Sequence, residues 1–210
     1  MIVAAGTTEE TAALARRNLA TVLISPLSQR AAQMNLGAAN SAGDILLFLH
    51  ADTVLPENAL EAIEAVLKPP SIIGGAFARR YEPSTPFLNA TCFLAELRSR
   101  MFGWFLGDQA MFVRRTVFER LGGFRDYEAF EDLDFARRMQ REGRVVTLRP
   151  PVISSARRFH VDGAFRKTLS DFWLTLRYLS GVHPNQLALH HKERGMLSTL
   201  EVDSQREELG

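Results

Sequence analysis

The chain has 210 residues, of which 46% are hydrophobic and 23% are charged, and this balance is typical of a globular protein with a sizeable core. Its formal net charge of +1 does not suggest a protein that binds nucleic acid. The single cysteine, Cys92, excludes an internal disulfide and a cysteine-based zinc site. No apolar run approaches the roughly 20 residues that span a bilayer, and together these features favour a cytoplasmic protein.

In chain order, the first half of the sequence alternates short apolar strands with amphipathic helices. Strands are predicted at 1–3, 21–24, 44–50 and 72–80, and helices at 8–18, 30–41 and between Pro56 and Pro69. The strand at 44–50 is apolar on both faces, which is typical of a strand inside a parallel sheet. This alternation indicates an α/β fold in which a mostly parallel central sheet is flanked by helices.

The second half continues the pattern and then becomes helical. Helices are predicted at 86–104, 116–121 and 131–142, and strands at 109–114 and 144–148. Apolar residues from Phe165 to Leu179 recur at helical spacing and predict an amphipathic helix. We therefore expect one domain over residues 1–162, an amphipathic helical segment over 163–194 and a flexible tail over 195–210.

The stretch GDILLFLHADTVLP ends a buried strand on His50-Ala51-Asp52. In open α/β sheets, ligands bind beyond the carboxyl ends of the strands. A carboxylate at that point can hold Mg²⁺ or Mn²⁺, which in turn neutralises a diphosphate. Two plainer interpretations stay open: Asp52 caps the next helix or tightens the turn, and His50 is a packed side chain.

The stretch FEDLDFARRMQREGRVV places two acids side by side at the start of a predicted helix. Adjacent helical residues point about 100° apart, so one of Glu131 and Asp132 can face a cleft while the other faces a partner. A carboxylate beside an acceptor hydroxyl can act as a general base. The alternative is that both acids only favour the helix dipole.

Three further polar stretches are SQRAAQMNLGAANSAGD, GDQAMFVRR and SSARRFH. The first lies near a helix start, where backbone N–H groups favour anions. The second precedes a strand, and the adjacent arginines of the third can clamp phosphate, although such pairs are common on surfaces. The residues singled out are Arg30, Gln33, Asn35, Asp108, Gln109, Arg157 and Arg158.

Taken together and in this order, four segments resemble a family 2 glycosyltransferase with the A-type fold. They are RAAQMNLGAANSAGDILLFLHADTVLP, GDQAMFVRRTVFERLGGF, EDLDFARRMQREGRVVTL and SSARRF, and they cover most of residues 30–160. Within the family, the chain is most similar to a small bacterial subgroup of selenium- or radical-SAM-associated transferases. The resemblance implies transfer of a sugar, with inversion, from a UDP- or GDP-type donor to an acceptor hydroxyl, assisted by Mg²⁺ or Mn²⁺.

The resemblance also implies roles for individual residues. Asp52 would hold the metal, with His160 as a further ligand, and Asp132 would be the catalytic base with Glu131 beside it in the acceptor site. Substrate contacts would come from the nucleotide pocket, the acceptor-side loop and a position near the diphosphate. In that order, the residues are Arg30, Gln33 and Asn35, then Gly107, Asp108 and Gln109, then Arg157 and Arg158.

The sequence departs from the family pattern at its start. The usual first strand and helix are missing, Met1 falls in the second strand, and Ala4-Ala5 stand where the family has Asp and Gly. Those parts normally hold the nucleobase and ribose of the donor. An alternative is therefore a catalytically silent protein that binds a partner or ligand through the same fold. A sheet that lacks a strand also exposes an edge, which favours a homo-oligomer.

The apolar stripe of the C-terminal segment has two interpretations. Flanked by Arg166, Lys167 and Arg177, it can lie on lipid at the inner face of a membrane. A helix docked on the sheet explains the same stripe equally well.

Overall fold

The computed structural model describes residues 2–4, 9–157, 159 and 163–188. The predictions for Arg158, His160 and the tail over 195–210 lie outside these described residues, as does Ala5.

The first half of the chain forms the strands and helices expected from the sequence. They are β1 (Ile2–Ala4), α1 (Glu9–Arg17), β2 (Val22–Ile24), α2 (Arg30–Ala39), β3 (Ile45–Phe48), β4 (Thr53–Val54), α3 (Ala59–Val66) and β5 (Ile72–Glu82). The two-residue strand β4, directly after the His50-Ala51-Asp52 turn, has no counterpart among the predicted elements. It is too short to show a strand period in sequence.

The second half adds further helices and strands. They are α4 (Pro86–Phe102), a 3₁₀ turn (Gly107–Gln109), β6 (Met111–Arg114), α5 (Arg115–Arg120), α6 (Glu131–Glu142), β7 (Arg144–Ser155) and α7 (Ala164–Leu179). Local chemistry sets the bounds of α4. The Thr85 side chain accepts a hydrogen bond from the backbone N–H of Leu88, Pro86 begins the helix, and Gly103 ends it at a φ of 62°.

The strands form a mixed arrangement within the α/β architecture that the sequence predicts. β1 and β2 pair in parallel, and five further strands lie in the order β3-β6-β5-β7-β4. In that sheet β5 and β7 are parallel, whereas β3–β6, β5–β6 and β4–β7 are antiparallel. The expectation of a mostly parallel sheet is thereby corrected. A strand that is apolar on both faces is buried by helices on both sides of the sheet. An antiparallel strand that is buried in this way has the same pattern, so the pattern does not reveal the strand direction.

The core lies on both faces of this sheet. Along β6, Met111 and Val113 belong to one buried cluster and Phe112 to the other, as the alternation of side chains along a strand requires. The first cluster contains buried residues of α2, α5 and α6, and the second contains those of α3. Because apolar residues cover both faces of the sheet, polar groups can come together only at the ends of its strands.

β7 extends beyond the predicted strand at 144–148, although two prolines follow. The ladder pairs Phe77 with Leu148 and next pairs Arg79 with Val152, so that Pro150 and Pro151 fall in a register shift. A proline is tolerated at such a bulge because no ladder hydrogen bond needs its missing N–H. Among the described residues, no helix combines the length and apolar character needed to cross a membrane.

Candidate active site

A cleft of about 510 Å³ opens beyond the carboxyl end of β3. Its wall is built from the turn after β3, the 3₁₀ turn at Gly107–Gln109, the start of α6 and one side each of α4 and α7. Asp52 and Asp132 both line it. Two acids that are distant in sequence therefore meet at one cavity.

Asp132 lies in the first turn of α6, and both of its carboxylate oxygens are held by backbone N–H groups. Oδ2 accepts a hydrogen bond from Gly107 at 2.7 Å and Oδ1 accepts one from Leu133 at 2.6 Å. These two bonds fix the orientation of the carboxylate at the cleft wall.

Glu131 does not line the cleft; it is buried and paired with Arg30, which does. Arg30 Nε lies 2.9 Å from Glu131 Oε1, and Arg30 Nη2 donates to Oε2 at 3.3 Å. Burial, and then the charge of Asp132, raise the pKa of Glu131 to about 7, against the opposing effect of Arg30. Glu131 therefore positions Arg30 from behind, while its neighbour Asp132 faces the cleft.

Gly107 is required by the close approach of two side chains. A Cβ at this position would lie 2.4 Å from His50 Nε2 and 3.2 Å from Asp132 Oδ2. The His50 ring thus packs against the Gly107 backbone, in line with the plainer interpretation of this histidine. Burial, together with the charge of Arg30, lowers the pKa of His50, which favours the neutral imidazole at pH 7.

Asp108 is bound by two side chains of β5, and these three residues form what we call the cleft floor. Arg79 Nη1 donates to both carboxylate oxygens at 2.6 and 2.5 Å, and the Tyr81 hydroxyl donates to Oδ2 at 2.8 Å. Burial by itself raises the pKa of Asp108, but the charge and hydrogen bonds of Arg79 outweigh it and hold this pKa below its usual value. All three residues line the cleft.

Gln109 and Asn35, two predicted substrate contacts, have structural partners instead. Gln109 is fully buried; its amide donates to the Phe77 carbonyl at 3.1 Å and accepts from the Leu106 N–H at 3.0 Å. Asn35 donates to the Phe124 carbonyl at 2.8 Å and accepts from the Phe124 N–H at 2.9 Å. A polar side chain that satisfies backbone groups in this way supports the cleft without lining it.

Two other predicted substrate contacts, Gln33 and Arg157, also lie outside the cleft lining. Arg157 is exposed and lies two residues beyond the end of β7. Arg30, Gly107 and Asp108 are the predicted substrate contacts that the structure brings together at the cleft, beside Asp52 and Asp132.

Asp52 is at the turn between β3 and β4, and its backbone ties that turn to β7. The Asp52 carbonyl accepts a hydrogen bond from the Ser155 N–H at 3.1 Å. Asn58, and not Asp52, is the residue before α3, so the helix-capping interpretation of Asp52 is wrong. Within the described residues, its carboxylate accepts no hydrogen bond and forms no ion pair.

Sequence reasoning missed Arg98, which lines the cleft from α4. Arg98 Nε donates to the Trp104 carbonyl at 3.2 Å and Nη2 donates to Gln109 Oε1 at 3.4 Å, and in the described part of the chain no acid forms an ion pair with it. Burial, together with the charge of Arg79, lowers its pKa to about 10. It is therefore a cation at neutral pH whose charge is directed to the cleft. No motif singles it out, because RSR on an amphipathic helix looks like a solvated surface.

Comparison with known proteins gives the family of the chain. Residues 1–133 match the sequence model described as Glycosyl transferase family 2, and the chain belongs to this family. No curated protein matches it. Within the described residues, no group of three or more His, Cys, Asp or Glu side chains is suited to hold a metal ion.

Two solved structures are similar to the chain. The mannosyltransferase PcManGT from Pyrobaculum calidifontis, solved in complex with GDP-Man and Mn²⁺, shares 22% identity at a TM-score of 0.55, covering 73% of this chain and 46% of that one. A mycobacterial protein gives 16% identity and a TM-score of 0.41, covering 73% of this chain and 53% of that one. The chain spans about half the length of these structures. The first likeness shows the predicted A-type glycosyltransferase fold.

Proposed function

We propose that the chain transfers a sugar, with inversion, from a nucleotide-diphosphate donor to an acceptor hydroxyl. The observation that carries the proposal is that Asp52 and Asp132 line one cleft of about 510 Å³. Membership of glycosyl transferase family 2 supports it. A UDP- or GDP-type donor is the expected ligand, and the GDP-Man complex of the similar mannosyltransferase supports that choice.

Asp132 is the base in this proposal. Its carboxylate takes the proton of the acceptor hydroxyl while that oxygen attacks the anomeric carbon and the bond from that carbon to the diphosphate oxygen breaks. The N–H groups of Gly107 and Leu133 keep the carboxylate in place during this step. Attack from the face opposite the leaving diphosphate inverts the configuration at the anomeric carbon.

In this proposal, the Asp52 carboxylate is the group of the protein that binds a divalent cation in the cleft. Magnesium-type ions are commonly held by one or two carboxylates together with substrate phosphates, and a carboxylate without a partner in the described residues fits that requirement. Mg²⁺ or Mn²⁺ bound there would neutralise charge on the leaving diphosphate. Arg30 and Arg98 add positive charge from the chain itself, and Glu131 holds Arg30 in place.

An alternative is a catalytically silent protein that binds a partner or ligand through the same fold. Two observations favour it. Ala4, at the end of β1, offers no carboxylate where the family has one, and in the described residues β1 and β2 pair only with each other. Binding of a nucleotide distinguishes the two proposals.

The test combines titration calorimetry with a transfer assay. We expect Asp132→Asn to lower the rate of transfer by roughly 10²- to 10⁴-fold, since it removes the base, with the affinity for UDP or GDP unchanged. Asp126→Asn is the matched control, because Asp126 is exposed and outside the cleft. Turnover by Asp132→Asn equal to the wild type would remove Asp132 from the base role.

A second variant tests the cation. Asp52→Ala is expected to abolish the increase in nucleotide affinity that Mn²⁺ produces, while Asp44→Ala, at the opposite end of β3, leaves it intact. Identical titration curves for Asp52→Ala and the wild type refute the assignment. A folded wild-type protein that binds neither nucleotide, with or without Mn²⁺, favours the silent alternative.

A further inference from the structure

An exposed apolar surface borders the mouth of the cleft. On α7 it consists of Phe165, Leu169, Phe172, Trp173 and Leu176, which are 41% to 70% exposed. On α4 it consists of Phe93, Leu94, Leu97 and Met101, which are 45% to 66% exposed. We call these residues the apolar rim. Contiguous exposed apolar patches of this kind are uncommon on a soluble monomer and mark interaction sites.

The rim is continuous with the cleft. Leu94 on α4 and Phe172 and Leu176 on α7 line the cleft while remaining exposed. The rings of Phe87 and Phe165 lie 6.0 Å apart and connect the two helices at one end. Whatever covers the rim therefore also lies at the entrance through which a cleft ligand passes.

Packing within the chain does not account for the stripe on α7. Not one of the 16 residues of this helix is buried. The side of the helix that faces the cleft includes Thr168 and Thr175 together with Phe172 and Leu176. Leu169 and Trp173 do not line the cleft, and they are 57% and 58% exposed. A helix docked on the sheet by its apolar stripe would bury that stripe, whereas Leu169 and Trp173 are more than half exposed.

The charges around the rim are cationic. Arg166 lies seven residues before Trp173 and Arg177 four residues after it, so both share its side of the helix. The acids of the two helices are already paired: Lys167 Nζ donates to Asp171 at 2.5 Å, and Glu96 accepts from Arg149 and Arg100. An apolar face with aromatic residues and flanking arginines is complementary to an anionic lipid surface. A second copy of the chain would bring one cationic face against another.

We propose that the apolar rim docks on the surface of a bilayer that contains anionic lipids, with the mouth of the cleft turned toward the lipid headgroups. Side chains of Phe, Leu and Trp enter the headgroup–acyl boundary, and Arg166 and Arg177 contact lipid phosphates. The proposal goes beyond sugar transfer and does not rest on it, because docking requires neither donor nor acceptor.

Vesicle flotation of the full chain tests the proposal. We expect the protein to float with vesicles of phosphatidylcholine and phosphatidylglycerol, and roughly tenfold less with phosphatidylcholine alone. The double variant Leu169→Glu/Trp173→Glu is expected to lose binding by roughly tenfold or more. Leu60→Glu is the matched control, because Leu60 on α3 is 61% exposed and lies outside the rim, and it should float like the wild type.

A second pair of measurements keeps the test independent of folding. Arg166→Gln/Arg177→Gln introduces no charge into the apolar face and should abolish the preference for anionic vesicles, as high salt should. Absence of wild-type flotation, or equal loss in Leu60→Glu, overturns the proposal. A dimer in sedimentation velocity that Leu169→Glu/Trp173→Glu dissociates, without flotation, overturns it in favour of a second copy. Loss of transfer in Asp132→Asn has no bearing on any of these outcomes.

Discussion

At the cleft floor, Arg79, Tyr81 and Asp108 are joined by hydrogen bonds of 2.5 to 2.8 Å, whereas at the apolar rim Leu169 and Trp173 are more than half exposed. The floor is polar and largely buried, and its carboxylate is bound by groups of the chain itself. The rim is apolar and in contact with water. Interactions inside the chain account for the floor, but the side chains of the rim contribute little to folding, so their chemistry points to a contact outside the chain.

The largest effect is expected from removal of the acid of the floor. Asp108→Ala leaves the largely buried Arg79 without its partner, and such a loss costs about 3–5 kcal/mol of the free energy of unfolding. Leu169→Ala at the rim removes an exposed side chain and should change the free energy of unfolding by less than about 0.5 kcal/mol. Urea denaturation of both variants at pH 7 measures the difference. Equal destabilisation would contradict the contrast between floor and rim.

A smaller, pH-dependent effect is expected at Glu131. Its pKa is raised to about 7 in the folded protein, above the unfolded value, so the folded state binds this proton more tightly. The resulting stabilisation is complete below about pH 4.5 and is lost as the pH rises through about 7, by an amount on the order of 3 kcal/mol.

Glu131→Gln cannot titrate and should lack this decline. The measured quantity is the difference in unfolding free energy between wild type and variant from pH 4.5 to 7.5, because the difference cancels the titration of His50, whose lowered pKa acts in the opposite direction. A difference that stays constant with pH would show that folding does not raise the pKa of Glu131.

A smaller loss of stability than at Asp108 is expected at Gly107. An added Cβ would lie 2.4 Å from His50 Nε2 and 3.2 Å from Asp132 Oδ2, so that Gly107→Ala costs about 1–3 kcal/mol. Because it displaces Asp132, transfer should fall by roughly 10²-fold. Gly43→Ala, where the nearest atom is 3.3 Å from the added Cβ, is the control. Full activity in Gly107→Ala would show that the contact of Gly107 with Asp132 does not position the carboxylate.

Sequence reasoning predicted the order of the longer helices and strands, although not β4, and the bounds of α6. Periodic apolar residues and the glycine after Glu142 mark that helix clearly. It also brought Asp52 to the edge of the sheet where ligands bind, since the position of a residue past a strand end follows from the fold. The meeting of Asp52 with Asp132 at one cleft rested on the family resemblance.

The polar contacts were harder to predict. Gln109 and Asn35 were expected to contact substrate, but both bond to the backbone, and in sequence a polar residue that satisfies backbone groups looks like one that binds a ligand. Arg79 and Tyr81 were missed for a related reason. Alternation along β5 places them on one face, but it does not reveal that Asp108, from a distant turn, is their partner.

The paired hydrogen bonds between the Asn35 amide and the Phe124 backbone have a mechanical consequence. Together with the contact between Arg30 and Glu131, they fasten α2 to the chain that leads into α6 at two points. One side of the cleft is therefore stiff, while the other is formed by α7, a helix without a buried residue. If the cleft widens to admit a bulky molecule, we expect α7 to be the part that moves, because fewer packed contacts must be broken there.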